Sequence, residues 1–197
     1  MIRDFLIIAI VIAVLLSNPG VSYASSQPLK EGNRLPKFTV TEGKKKITFP
    51  DDFKGEVFAL YFGNLVDNKD GFQFLSWGGG FTIILRQESE VLHDTYFAGI
   101  ASLKNRPIYW VPLLVKKTFN DSMKKHDIRG DIFYDWDSEI ADKLKIDMHE
   151  YRAVIVDKKG IIRRVYDCRI YDLSPEEKQG VEDLFKELIN EKVDDKE

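Results

Sequence analysis

Cys168 is the only thiol in this 197-residue chain. A lone cysteine cannot close an internal disulfide, so two-cysteine thiol–disulfide exchange within one chain is excluded. To act alone as a nucleophile it would need a lowered pKa. Arg163, Arg164 and Arg169 stand near it in sequence and would favour the thiolate, while Asp167 and Asp172 oppose them. The alternative role for Cys168 is that of a small, packed apolar residue.

The second chemically suggestive stretch runs from Asn64 to Gly80. It holds Asp67, Asp70, Phe72, Phe74 and Trp77, and it ends in Gly78, Gly79 and Gly80. Irregular stretches of this length are functional or disordered, and the aromatics argue against disorder. Glycines ahead of a helix could cradle an anion at its amino terminus, but the Gly-Lys-Ser/Thr of a P-loop is missing. Two readings stand: the aromatics fold back over the core, or the stretch binds a ligand. Asp67-Asn68-Lys69-Asp70-Gly71 resembles a calcium loop in composition only. With the glycine at loop position six, Val66 and Trp77 occupy the first and last positions, where an EF-hand requires carboxylates.

His93, His126 and His149 are scattered, and none pairs at ligand spacing with another histidine or with Cys168. No metal site and no cofactor are expected. A formal charge of −3 gives no nucleic-acid footprint, and Lys44-Lys45-Lys46 reads as a solvated turn.

The elements that must position these residues follow from periodicity. Phe38–Val40 and Ile47–Phe49 flank Glu42-Gly43 as a small hairpin. Glu56–Phe62 is nearly all apolar, as in a strand buried on both faces. A helical period is predicted from Phe81 to about Asn105, with Phe81, Ile84, Leu85, Val91, Leu92, Tyr96 and Leu103 on one face. Ile108–Val115 is predicted as a second buried strand, blemished by Pro112. Asn120 can cap a short helix through about His126; Ile132–Tyr134 is a brief strand; Asp135 or Asp137 can cap a helix over Glu139–Leu144. Arg152–Asp157 and Ile161–Tyr166 form a hairpin across Lys158-Lys159-Gly160. Ser174-Pro175-Glu176-Glu177 is a capping box opening a helix striped by Val181, Leu184, Phe185, Leu188 and Ile189. Helices between buried strands imply parallel neighbours, and the hairpin adds an antiparallel edge. The fold class is α/β: a mixed central sheet, helices on both faces, and an amino-terminal β-hairpin extension.

That order resembles the thioredoxin fold. It is carried by Gly32-Asn33-Arg34-Leu35-Pro36-Lys37-Phe38, by Phe53–Phe62, by the Asp157–Ile162 turn and by Leu173-Ser174-Pro175-Glu176-Glu177. More narrowly it is similar to the redoxins: AhpC/TSA-type peroxiredoxins, TlpA-like exported proteins and, in the closing hairpin and final helix, YtfJ-like proteins. Such proteins place a reactive cysteine just after the first buried strand, where a helix amino terminus can lower its pKa. Here that place is Asn64–Asp70, or Trp77–Phe81 if there is an insertion, and neither holds a thiol. The peroxiredoxin Pro-x-x-x-Thr-x-x-Cys pattern is absent too. Redoxins often carry a proline before the penultimate strand, packed against the active site; Tyr151 stands at that position. Arg152 lies one place from the arginine of peroxiredoxins, and that role is not transferred to it.

The first residues read as an export signal: Arg3, an apolar run from Phe5 to Leu16, a break at Asn18-Pro19-Gly20, and Ser22-Tyr23-Ala24 for cleavage after Ala24. The run is shorter than the roughly 20 residues needed to span a bilayer. The expected organisation is a signal peptide over 1–24, a polar lead-in over 25–35, one thioredoxin-like domain over 36–190 and a charged tail over 191–197. The expectation is a periplasmic or secreted redoxin-like binding module, whose partner, another protein or a small ligand, meets the Asn64–Gly80 loop. No nucleic-acid partner is expected, and a membrane enters only if the first segment is retained as an anchor for an accessory subunit. The enzymatic alternative is a one-cysteine peroxidase or reductase using Cys168 with an external thiol.

Overall fold

The computed structural model describes residues 29–42, 44–64, 95–102, 116–117, 120–121, 124, 129–147, 152–167 and 173–192. Among them, seven strands and two α-helices are defined: β1 (Phe38–Glu42), β2 (Lys45–Phe49), β3 (Phe58–Asn64), β4 (Tyr96–Ser102), β5 (Arg129–Asp135), α1 (Glu139–Leu144), β6 (Arg152–Val156), β7 (Ile162–Tyr166) and α2 (Pro175–Asn190). A short 3₁₀ turn spans Asp51–Phe53.

β1 and β2 form the expected hairpin, with Phe38 opposite Phe49. The main sheet has the order β5-β4-β3-β6-β7. β3 is parallel to β4, and β4 to β5, whereas β6 is antiparallel to both β3 and β7. Alternation along β3 divides the two faces. Phe58, Leu60 and Phe62 point into a core shared with Phe38, Val40, Phe49, Phe53 and, from α1, Ala141 and Leu144. Five phenylalanines build its centre: Phe49 stacks on Phe38 at 5.1 Å and on Phe53 at 4.8 Å between ring centroids. On the opposite face Tyr61 stacks on Phe97, which meets Phe185 of α2 at 6.0 Å. The sheet is therefore mixed and carries a helix on each face, with the hairpin over the α1 side.

The stretch predicted as helical over 81–105 contains a strand instead. Tyr96 to Ser102 pairs with β3 along its whole length and is buried almost throughout. The run Tyr96-Phe97-Ala98-Gly99-Ile100-Ala101 is apolar at every position, so both faces of a strand can be buried, and period alone does not separate that case from a buried helix. Tyr96 is thus a strand residue, not part of a helical stripe. Residues 81–94 and 103–105 of that stretch and the strand predicted over 108–115 lie outside the described residues. β5 is longer than the three residues expected. Asn120, Asp121 and Lys124 are helical, as are Lys116 and Lys117.

The closing elements follow their sequence signals. Ser174 Oγ accepts from Glu177 N at 3.1 Å and Glu177 Oε2 accepts from Ser174 N, the reciprocal capping box. Residues 29–35 lie against β7: Gly32 N donates to Ile162 O, Ile162 N to Asn33 O, and Leu29 and Leu35 are buried. These bonds occupy part of a sheet edge that would otherwise offer free backbone groups.

Candidate functional site

In open α/β sheets, ligands bind in the crevice beyond the carboxyl ends of the parallel strands, where loops of different strands converge. Here β3, β4 and β5 end in register at Asn64, Ser102 and Asp135. With strands about 4.8 Å apart, this is a row of three polar positions across one end of the sheet, the carboxyl end. The residues beneath it are apolar.

Two members of the row are fixed by the turn that follows β5. Asp135 is buried, and its Oδ2 accepts from Ala141 N at 3.0 Å, satisfying one of the free amides of the first turn of α1. Ser102 Oγ meets Ser138 Oγ at 3.0 Å, and both side chains are buried. Ser138 sits at φ 60°, in the left-handed region. A non-glycine residue there is strained by about 1–3 kcal/mol, and the Ser102 contact and the start of α1 hold it in place. Of the two expected caps, Asp135 and Asp137, Asp135 bonds the helix start, at Ala141 N, and the residue directly before α1, Ser138, makes no side-chain cap of its own. Between them Trp136 stands 49% exposed, the one large apolar side chain so exposed among the described residues. Its ring meets Tyr134 edge-on at 6.0 Å.

β7 also leaves the sheet at this end. It is antiparallel to β6, which is antiparallel to β3, so β7 runs in the direction of β3 two strands away, about 10 Å. Tyr166 is level with Ala153 and, through it, with Tyr61. Arg152 opposes Phe62 on β6 and ion-pairs through Nε with Asp167, which continues β7. Cys168 is the next residue in the chain. Cys168 stands far from β3 in sequence, yet β7, which ends two residues before it, finishes at the same end of the sheet as β3.

The residues singled out by the sequence, Cys168, Asp67, Asp70, Phe72, Phe74, Trp77, Gly78, Gly79, Gly80 and Tyr151, lie outside the described residues, as do the three histidines. Sequence reasoning missed Ser102, Ser138 and Trp136 as members of this end. The available signal was Asp135-Trp136-Asp137-Ser138, an exposed-type aromatic among helix-capping residues directly after a strand. Among the described residues no group of three or more His, Cys, Asp or Glu could hold a metal ion. Among them, too, no helix is long and apolar enough to cross a membrane.

No family model matches the chain, and no curated protein matches its sequence. Solved structures do match its shape. A yeast mitochondrial 1-Cys peroxiredoxin superposes with a TM-score of 0.56 at 12% identity, covering 80% of this chain and 75% of that one. A 2-Cys peroxiredoxin of Plasmodium vivax gives 0.53 at 15% identity, over 81% and 83% of the two chains. A candidate protein disulfide isomerase from Bacteroides thetaiotaomicron gives 0.52 at 22% identity, over 83% and 92%. This is the thioredoxin fold. The single cysteine of this chain follows β7.

Proposed function

We propose that the protein is an exported thioredoxin-fold binding module without dithiol chemistry, which docks a polypeptide or small ligand at the carboxyl end of β3, β4 and β5. The observation that carries this reading is the mismatch between scaffold and thiol: β3 ends at Asn64, and the one cysteine comes after β7. The exposed Trp136 beside the buried Asp135 and Ser138 supports a docking role. An aromatic ring held by a fixed turn offers contact area at small entropic cost. The loop from Asn64 to Gly80, with Phe72, Phe74 and Trp77, would supply the adjoining surface. Purified mature protein is expected neither to reduce insulin disulfides nor to consume hydroperoxides; turnover of either would overturn the proposal. Mass spectrometry of the native amino terminus tests the export element, with cleavage after Ala24 expected and a retained Phe5–Leu16 segment indicating a tethered subunit.

A second reading is favoured by the exit of β7 at the same end of the sheet. Cys168 would attack a peroxide oxygen as thiolate, leaving a sulfenic acid and releasing the alcohol; one external thiol would condense with it to a mixed disulfide and water, and a second would displace Cys168 as thiolate. This requires peroxide turnover that is wholly lost in Cys168→Ser, together with alkylation of Cys168 in the native state at a rate typical of an activated thiolate. Labelling only in denaturant removes it.

A further inference from the structure

The opposite end of the sheet carries a cleft of different chemistry. The turn between β6 and β7 follows Val156, which is level with Phe58 at the amino end of β3. Seven strand residues at about 3.3 Å each put this turn about 20 Å from the row at Asn64, Ser102 and Asp135. Arg34, Lys54, Lys158 and Lys159 line a cleft of about 130 Å³ there, with Pro50 and Gly160 as its apolar wall and Asp51 as the one acid. At about 30 Å³ per water, the space holds roughly four waters, enough for a tetrahedral oxyanion and part of its shell.

Three features separate this cleft from an ordinary solvated patch. Its acid is already engaged: Asp51 Oδ2 lies 2.7 Å from Lys37 Nζ. The nearest buried acid, Asp157, is also occupied, accepting from Lys159 N, Ile161 N and Arg163 Nη1. Two cations are held in place. Lys158 Nζ donates to Ile189 O and Glu191 O at the end of α2, which leaves one of its three protons free, and Arg34 Nη1 donates to Lys159 O at 3.3 Å. Finally, the wall is open because residue 160 is glycine. At φ 77°, a Cβ there would meet Pro50 Cγ at 3.0 Å and Arg34 Cζ at 3.9 Å. Any side chain at 160 would press on the proline and approach the guanidinium.

We propose that this cleft binds a phosphate-type dianion, either free or as the monoester headgroup of a small molecule or lipid, through Arg34, Lys54 and Lys159, with Lys158 as a fixed positive charge behind them. Guanidinium and ammonium donors around one pocket match the several acceptor oxygens of such a group. The site is independent of the carboxyl-end reading above.

The test is a titration of the full chain with inorganic phosphate, followed by amide shifts at Arg34, Lys54, Lys159 and Gly160. Sodium chloride at matched ionic strength serves as the control. Saturable shifts confined to these residues are expected, weakened roughly tenfold or more in the Lys54→Gln/Lys159→Gln double variant. Both side chains are exposed and make no side-chain bond or ion pair within the described structure, so the double variant is expected to melt as the parent does. Lys117→Gln, on another part of the surface, is expected to leave phosphate binding unchanged. Sedimentation with phosphatidic acid vesicles, against phosphatidylcholine vesicles, separates the sources. Loss of sedimentation in the double variant identifies a lipid headgroup; phosphate binding without sedimentation identifies a soluble ligand. Shifts reproduced by chloride, or full affinity in the double variant, would overturn the proposal.

Discussion

The two ends of the main sheet are held by opposite means. At the carboxyl end, small buried polar groups fix one turn: Asp135 bonds a helix amide, Ser102 holds Ser138, and an exposed aromatic stands between them. At the amino end, charge does the holding. Asp157 gathers two backbone amides and Arg163, which also reaches Glu187 at 3.5 Å and Glu191 at 3.2 Å on the last turn of α2 and just beyond it. Lys158 caps the same helix end through its carbonyls, where a cation also meets the negative end of the helix dipole. The difference teaches where each end can tolerate change. A neutral, locally bonded turn can present a side chain to a partner without rearranging the sheet. A charged junction in which Asp157 bonds the hairpin turn and, through Arg163, meets the end of α2 cannot lose that acid without loosening both.

The sharpest way to break that contrast is Asp157→Ala. It removes the acceptor of two turn amides and the closest partner of Arg163 from a buried position, and the expected cost is about 2–4 kcal/mol. Asp157→Asn keeps an acceptor for the turn and is expected to cost about half as much. Urea unfolding of the three proteins checks this; equal stability of all three would show that the junction is decorative. The hydrogen bond to Asp157 also holds Arg163 more firmly protonated than usual, with burial opposing it and Glu191 adding to it. At the other end, Asp135→Ala is expected to cost about 1–2 kcal/mol, the usual value of a lost helix-terminal acceptor. If it costs more than Asp157→Ala, the assignment of the stronger junction to the amino end is wrong.

The same contrast explains what could be read in the sequence. The amino end was legible because its signals are local: Asp157-Lys158-Lys159-Gly160 is a hairpin turn, and Ser174-Pro175-Glu176-Glu177 is a cap, each set by neighbouring residues. The carboxyl end is assembled by pairing. Ser102 and Asp135 become neighbours only through the parallel register of β4 with β5, and β4 lies in a stretch where the spacing of Phe81, Ile84, Leu85, Val91, Leu92, Tyr96 and Leu103 predicts a helix, although Tyr96–Ala101 is apolar at every position. A buried helix segment and a doubly buried strand share such a continuous apolar run, and only a sheet partner decides between them. Cys168 shows the same limit. Its distance from β3 in sequence gave no hint that two antiparallel steps bring β7 back to the end where β3 finishes.

Trp136→Ala sharpens the comparison at smaller energetic scale. The ring is half exposed and touches Tyr134 by its edge, so stability is expected to move by no more than about 0.5 kcal/mol. Binding should respond instead. In a pull-down from the protein's own compartment quantified against the parent, captured material is expected to fall while the melting curve stays in place. Unchanged capture would remove Trp136 from the docking surface.

The smallest expected effect lies at the amino end and concerns pH. Asp51 has its pKa lowered by its hydrogen bond to Lys37, opposed by burial and aided by the charges of Lys37 and Arg34. A carboxyl whose folded pKa is depressed contributes stability that is fully present above its unfolded value, about 3.9. That contribution is lost as the pH falls through the lower, folded value. Asp51 is solvent-exposed, so screening keeps the effect on folding slight, and the carboxyl's own titration is the better readout. Carbon NMR is expected to give a midpoint below the usual aspartate range, moving up in Lys37→Met. A midpoint at the usual aspartate value in the parent, or one that Lys37→Met leaves in place, would mean that the Lys37 contact does not set the charge state of this carboxyl.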